Sequence, residues 1–148
     1  MARLLLLNGP NLNLLGTREP SVYGTDTLEA IEQRAAAVAR ETGHELLTFQ
    51  SNAEHELIAR VQRVRADGVA FVILNPGAFT HTSIALRDAV VATGVPFIEV
   101  HLSNPHAREA FRRQWYFSDV AVGVISGLGA FGYETAVRAA ALRLADKT

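Results

Sequence analysis

The chain has 148 residues, of which 49% are hydrophobic and 20% charged; this is the size and composition of one globular domain rather than of a disordered chain. A net charge of −1 provides no basic surface for nucleic acid, and the absence of cysteine excludes disulfides, thiolate metal sites and cysteine nucleophiles. The single lysine, Lys147, is next to the last residue, where we expect it to be solvated. Lysine-imine chemistry and P-loop phosphate transfer are therefore disfavoured.

The sequence is predicted to form one domain over residues 1–148, because no linker, internal repeat or low-complexity tract divides it. Its first apolar run, Leu4 to Leu7, is too short for a signal-peptide core or a membrane span. We therefore expect a cytoplasmic protein without a membrane partner.

Short apolar, β-rich runs alternate with segments of helical periodicity. The predicted strands cover residues 3–8, 45–50, 69–74, 96–100 and 120–125. This alternation predicts a parallel sheet with helices on both faces. Five strands in a chain of this length favour an α/β, flavodoxin-like three-layer sandwich with strand order 2-1-3-4-5 over a barrel.

The helices between these strands carry recognisable end signals. Capping boxes are predicted at the first two, formed by Asp26 with Glu29 and by Ser51 with Glu54. Gly94 is predicted to end the third helix. The helical patterns lie within residues 28–39, 57–64, 82–93 and 132–145, with a weaker one at 105–111.

Polar side chains cluster where three predicted strands end. Asn8 and Asn11 follow strand 1, Asn75 and His81 follow strand 3, and residues 99–104 close strand 4. Ligands of such sheets bind at the carboxyl ends of the strands, near the switch point between strands 1 and 3. Turn chemistry alone explains an Asn-Gly pair and is the preferred interpretation of Asn8, but it does not require histidine or glutamate.

The first connection, residues 9–24, is much longer than the usual βα loop of about 2–6 residues. It contains Arg18, Glu19 and Tyr23. We interpret it as an active-site lid that carries charge over the strand-end crevice.

Glu99 and His101 are two residues apart at a strand end, so their side chains project to the same face. A carboxylate beside an imidazole favours the imidazolium, which is a general acid near neutral pH. A purely structural ion pair remains an equal alternative at this point. Arg108, Arg112 and Arg113 are typical of a solvated face, unless Arg112 reaches the crevice and binds hydroxyls or a carboxylate.

Two further patterns are weaker. Residues 127–132 spell GxGxxG, but no further strand with an acidic residue follows, so close helix–strand packing explains these glycines better than a nucleotide does. His81, His101 and His106 lack the spacing of zinc ligands, so no metal site is predicted.

Taken together, these segments resemble the type II 3-dehydroquinases over nearly the whole chain. The matching blocks stand in order and at consistent spacing. They are residues 7–13 (LNGPNLN), 16–20 (GTREP), 23–24 (YG), 50–52 (QSN) with Glu56, 75–76 (NP), 80–83 (THTS), 87–89 (RDA) and 99–104 (EVHLSN).

The resemblance implies dehydration of 3-dehydroquinate to 3-dehydroshikimate by anti elimination through an enolate, in the shikimate and quinate pathways. It implies that Tyr23 is the base for the C2 proton, with Arg18 beside it, and that Asn11 holds a water at the enolate oxygen. It implies that His101, oriented by Glu99, protonates the departing C1 hydroxyl.

For substrate binding, the resemblance implies contacts from the strand ends and no metal or cofactor. The residues it assigns are Asn75, near the departing hydroxyl, Leu102 and Ser103 at the carboxylate, His81 and Arg112 at ring hydroxyls, and Asp88. Asp88, by default a surface acid, is expected to reach a neighbouring subunit's site, because the resemblance implies a dodecamer of four trimers.

This chain departs from the family at Gln114 and Trp115, where relatives usually have His-Ser, and at Phe131, which is often polar. Substrate affinity or assembly is expected to differ if this segment lies near the site or at a trimer contact. Two rival interpretations stay open: a flavin-binding module, and a non-catalytic flavodoxin-like binding protein.

Overall fold

The computed structural model of the chain describes residues 1–17, 21 and 26–146. Five strands and four longer helices alternate along it, joined in places by short 3₁₀ helices. The strands are β1 (Arg3–Asn8), β2 (Glu45–Gln50), β3 (Val69–Asn75), β4 (Phe97–His101) and β5 (Gly123–Ser126), and the helices are α1 (Leu28–Glu41), α2 (Glu54–Gln62), α3 (Ile84–Thr93) and α4 (Phe131–Ala145).

All strand pairs of the sheet are parallel, and the strand order is β2-β1-β3-β4-β5. The flavodoxin-like order predicted from the sequence is thereby confirmed. The switch point lies between β1 and β3, where Asn8 is directly beside Asn75 in the register. The predicted crevice therefore begins at two buried amide side chains.

The apolar side chains of β1 alternate between two cores, which explains why the strand has no polar face. Leu4 and Leu6 pack with α1 and α4 on one side of the sheet, and Leu5 and Leu7 pack with α2 and α3 on the other. A strand buried on both faces needs an unbroken apolar run. The three-layer sandwich follows from this pattern.

Several predicted boundaries differ from those observed. Thr27 caps α1 by accepting a hydrogen bond from the Ala30 amide (3.1 Å), so the Asp26–Glu29 box is wrong. At α2 the cap is Ala53; Ser51 instead accepts from the Ala53 amide, and Glu54 accepts from Ser83 Oγ (2.5 Å). The Ser51 hydroxyl bonds a turn amide and the Glu54 carboxylate bonds a residue distant in the sequence, and local spacing does not reveal either partner.

Differences also occur in the last third of the chain. Strand β5 begins at Gly123 rather than at residue 120, because Val120 and Ala121 make turn hydrogen bonds to the Phe117 carbonyl. The predicted helix over 105–111 is two short 3₁₀ helices, Pro105–Ala107 and Ala110–Arg113. Gly94 ends α3 with φ 68°, as predicted.

The loops after β1 and β3 contact each other so closely that only glycine fits. A Cβ on Gly9 would lie 2.2 Å from the Pro76 carbonyl oxygen, and the Gly9 amide donates to the Asn75 carbonyl (2.8 Å). Gly77 has φ 60°, a conformation that side chains disfavour. This contact fixes the two loops that form one wall of the crevice.

Candidate active site

A crevice of about 230 Å³ opens at the carboxyl ends of β1, β3 and β4. It lies where the topology rule for such sheets places a ligand. Most of the residues assigned from the sequence line it, and they supply amides, imidazoles, a hydroxyl and a guanidinium. These residues are Asn11, Asn75, His81, His101, Leu102, Ser103 and Arg112.

Glu99 and His101 form a buried pair at the end of β4. His101 Nε2 lies 2.5 Å from Glu99 Oε2, and the other carboxylate oxygen of Glu99 accepts a hydrogen bond from Ser118 Oγ (2.6 Å). Glu99 is fully buried and His101 is 6% exposed. The predicted pairing is confirmed; it occupies Nε2 of a ring that lines the crevice.

Asn75 is oriented by a partner that sequence reasoning missed. Its Nδ2 donates to the Tyr133 hydroxyl (2.8 Å), and its Oδ1 accepts from the Gly77 amide (3.0 Å). The Tyr133 hydroxyl in turn donates to Asn8 Oδ1 (2.6 Å). Asn8 is therefore part of a buried network, and its interpretation as a turn residue is wrong.

Tyr133 is completely buried in α4, and this burial raises the pKa of its phenol above the usual value. It therefore remains a hydrogen-bond donor at all ordinary pH values. The sequence signal for Tyr133 was its position directly after Gly132, which is the last glycine of the glycine-rich motif. A Cβ on Gly132 would be 3.4 Å from Ile125 and 3.5 Å from Val100, so the glycine brings α4 close to the sheet.

The rest of the glycine-rich motif holds the end of β4. The Gly127 amide donates to the Ser103 carbonyl and the Gly129 amide to the Leu102 carbonyl, both at 3.0 Å. Because these amides bind the chain's own backbone, they are not a phosphate cradle. The packing interpretation of GxGxxG is confirmed, and the glycines position the Leu102–Ser103 segment instead.

His81 has a defined tautomer. Its Nδ1 lies 2.8 Å from the Gln114 carbonyl oxygen. A carbonyl only accepts, so Nδ1 carries the hydrogen and Nε2 is an acceptor when the ring is neutral. Desolvation lowers the pKa of His81 below its usual 6.5, with smaller contributions from nearby His101 and Arg112. The ring is therefore neutral near pH 7.

The two arginines that line the crevice are mostly buried, so the interpretation as a solvated face is wrong for them. Arg108 and Arg112 are 15% and 17% exposed in their side chains, whereas Arg113 is exposed. Arg112 Nε donates to Glu109 Oε1 (2.9 Å), and this bond lowers the pKa of Glu109. Arg108 is a crevice residue that sequence reasoning did not assign.

Asn11 lies at the rim with φ 69°, a left-handed conformation that asparagine tolerates. Its backbone amide donates to Asn52 Oδ1 (2.9 Å), and this hydrogen bond joins two of the motif blocks. Asp88 is exposed on α3 and does not line the crevice of its own chain. Arg18 and Tyr23, and with them residues 18–20 and 22–24 of the predicted lid, lie outside the described residues.

Within residues 1–17, 21 and 26–146, three or more histidine, aspartate or glutamate side chains do not gather in a way that would hold a metal ion. Over the same residues, every helix is too short or too polar to span a membrane.

The strand order and the crevice define a flavodoxin-like α/β protein with a small-molecule site at its strand ends. A family model described as "Dehydroquinase class II" matches residues 2–141. The chain belongs to this family.

Relatives and solved structures agree with this assignment. A protein of Hahella chejuensis named 3-dehydroquinate dehydratase is 60% identical over 99% of this chain and 100% of its own length. A Pseudomonas aeruginosa protein named 3-dehydroquinate dehydratase 1 is 64% identical over 95% of each chain. The crystal structure of type II dehydroquinase from Propionibacterium acnes superposes with a TM-score of 0.91 at 39% identity, over 96% of this chain and 97% of that one.

Proposed function

We propose that this chain is a hydro-lyase that removes water from 3-dehydroquinate to give 3-dehydroshikimate. The observation that carries the proposal is the buried Glu99–His101 pair at a crevice lined by Asn75, His81 and Arg112. An imidazole held by a carboxylate is suited to protonate a leaving hydroxyl. The names of the relatives and the family assignment support the same reaction.

The reaction is balanced by two proton transfers. A base removes the proton at C2, and the electron pair of that C–H bond moves toward the neighbouring ketone to form an enolate. When the enolate collapses, the C1–oxygen bond breaks, and His101 gives its proton to the departing hydroxyl, which leaves as water. Prepositioned donors at the enolate oxygen lower the barrier, and Asn11, through a bound water, is proposed for this role.

Tyr23 is the proposed base and Arg18 its partner, on the basis of the resemblance. An ordinary tyrosine is a neutral phenol near pH 7. Ionising it near pH 7 needs about three pKa units, or about 4 kcal/mol, and one cation at ~4 Å contributes about that much at an effective dielectric of ~20. The lid over residues 9–24 is proposed to bring this pair over the crevice.

Substrate binding is proposed to use the remaining crevice residues. Neutral His81 offers Nε2 as an acceptor for a ring hydroxyl, and Arg112 offers guanidinium donors to another. The Leu102–Ser103 segment, held by the two glycine amides, receives the carboxylate, and Asn75 lies near the departing hydroxyl. The proposed mechanism uses no cofactor.

The chain is further proposed to act in the cytoplasm as a homo-oligomer, a dodecamer of four trimers. The exposed position of Asp88 on α3 supports this, because the side chain is available to a neighbouring subunit. Sizing of the purified protein by light scattering tests the assembly; a monomer or dimer would overturn it.

The decisive experiment follows the conjugated enone product by ultraviolet absorbance during incubation with 3-dehydroquinate. Product formation is expected between about pH 6 and 9. Absence of product over this range would overturn the proposal and favour a binding protein.

Tyr23→Phe is expected to abolish turnover while substrate binding, measured by calorimetry, changes little. An active Tyr23→Phe chain would place the base elsewhere.

Treatment with borohydride in the presence of substrate is expected to leave the wild-type chain active, since no imine forms. Trapping of a covalent adduct would contradict the enolate mechanism.

A further inference from the structure

Trp115 lies between two imidazole rings at the edge of the site. Its ring centre is 4.8 Å from that of His101, with the planes tilted by 54°, and 4.9 Å from that of His106, with the rings stacked at 14°. The chain departs from the family at this position, and the resemblance implies no role for the residue. The contact with His101 shows that this departure lies at the proposed acid.

The indole is held in place by backbone groups around it. Its Nε1–H donates to the Arg112 carbonyl at 2.9 Å. The next residue, Tyr116, is fixed at both of its backbone polar groups. Its amide donates to the Thr80 carbonyl (2.9 Å), and its carbonyl accepts from Arg87 Nη1 (2.8 Å). A ring with this support restricts the orientation of what it contacts.

The same segment, residues 112–116, contacts the second crevice imidazole. The Gln114 carbonyl accepts the His81 Nδ1 hydrogen bond, and the His81 and Trp115 ring centres are 6.5 Å apart. Trp115 itself is not among the described residues that line the crevice. It therefore acts through the histidines rather than on a bound molecule.

We propose that Trp115 is a positioning residue for His101, whose ring it holds beside Glu99 and shields from water. The inference rests on the proposed function, in which His101 donates the proton to the leaving hydroxyl. An indole beside an imidazolium also contributes cation–π attraction to the protonated acid. Misplacement of a catalytic group by about 1 Å can cost 10²-fold in rate, so loss of the ring is expected to lower kcat.

The first test measures the contact without measuring activity. Trp115 is the single tryptophan of the chain, so indole emission reports on this site alone. A protonated imidazole in contact quenches indole emission. The charged and titratable groups around the rings are Glu99, His81, His106 and Arg112.

His106→Asn removes the outer ring, and emission is then followed from about pH 5 to pH 8 with His101 present and in the double variant with His101→Gln. His81 and Arg112 are the same in both chains. A difference in indole emission between the two chains, in intensity or in pH dependence, supports the proposal. Identical emission over the whole range would overturn the contact and with it the proposal.

The second test is kinetic. Trp115→Leu is expected to lower kcat about 10-fold or more, to change KM less than about threefold, and to move a limb of the pH profile of kcat. Trp115→Phe keeps a ring and is expected to recover most of the loss. Phe131→Leu, which removes an exposed aromatic at the start of α4, is the matched control and is expected to behave as the wild type.

Unchanged kcat and pH profile in Trp115→Leu would overturn the proposal, as would a Trp115→Phe chain that is as slow as Trp115→Leu. Where Trp115→Leu does not fold, Trp115→Met takes its place in the comparison. A wild-type chain that forms no product overturns the proposed function instead, and the fluorescence titrations still decide whether Trp115 holds His101.

Discussion

At the scale of single residues, burial decides which side chains are available for chemistry. Glu99 has both oxygens occupied, by His101 and by Ser118, and is shielded from water. His101 is held on one ring nitrogen and has the other left for a substrate. These contacts support the proposed roles, in which the carboxylate orients the imidazole and the imidazole donates the proton.

Glu99→Gln tests this division of roles. The amide keeps the shape of the carboxylate but removes the negative charge that stabilises an imidazolium. We expect kcat to fall about 10²-fold, since general acid catalysis contributes 10²–10⁴-fold, with little change in KM. Ser118→Ala is the control, because it removes one hydrogen bond from Glu99 and leaves its charge; an equal loss in both variants would contradict the charge argument.

His81 predicts a pH dependence of binding. Its pKa lies below the usual 6.5 because of desolvation, so Nε2 is an acceptor at neutral pH and becomes a donor as the pH falls through the lowered pKa. We expect KM to rise in that acidic range. His81→Gln, which keeps an acceptor, should show a flatter KM profile between pH 5 and 7; a profile as steep as the wild type would assign the effect to another group.

The same shift has a defined sign for stability. His81 has its ordinary pKa in the unfolded chain and a lower pKa in the folded chain. At a pH between these two pKa values, the unfolded state therefore carries more protons. The free energy of unfolding therefore rises with pH through this window and gains nothing more from His81 above about pH 6.5.

At the scale of elements, α4 determines the geometry at the ends of β1 and β3. Tyr133 extends from this helix to Asn8 and Asn75, which are neighbours in the sheet register. Gly132 permits the close packing that the bridge requires. The last helix therefore takes part in the site although it lines none of the crevice among the described residues.

Tyr133→Phe removes only the hydroxyl and leaves two buried amide groups without their partner. Leaving a buried polar group unsatisfied costs about 1–3 kcal/mol, and we expect the free energy of unfolding in urea to fall by at least that amount. Tyr116→Phe is the control, because the described residues provide no hydrogen bond to the Tyr116 hydroxyl. Equal stability of the two variants would show that the bridge contributes nothing.

The elements also show how far sequence reasoning reaches. Strands β1 and β2 were predicted to the residue. Strand β1 is buried on both faces and is an unbroken apolar run between polar ends, and the edge strand β2 is a short β-rich run between polar ends. The pairing of Glu99 with His101 followed from the two-residue period of a strand. The role of Tyr133 was missed because its partners, Asn8 and Asn75, lie far away in the sequence. The caps were missed because Thr27 stands beside Asp26 as a second candidate at α1, and because Glu54 of α2 bonds the distant Ser83.

At the scale of the whole molecule, the sheet separates two cores, and the crevice adjoins one of them through Leu12 and Leu102. Its walls are the loops after β1, β3 and β4, while Asp88 is exposed on the outer surface of α3. The proposed trimer explains why an acid that does not line the crevice of its own chain stands within a family motif. The site would then be complete only between subunits.

Mixing of inactive subunits tests the shared site. Asp88→Ala and His101→Ala chains are each expected to lack activity, and they are unfolded and refolded together at equal amounts. In a closed ring, a site needs one intact His101 and one intact Asp88 from its neighbour, so about half of one half, or about a quarter, of the sites recover. No recovery in mixed oligomers of native size would show that Asp88 does not act across the interface.

The Tyr133 bridge also has a consequence for synthesis of the chain. Asn8 and Asn75 leave the ribosome well before residue 133 is translated, so the nascent polypeptide holds two amides that cannot yet adopt their final orientation. A chain arrested between β5 and α4 contains the residues of all five strands and still lacks the hydroxyl that bonds these two amides. The catalytic centre is therefore a late product of translation, although most of its side chains are made early.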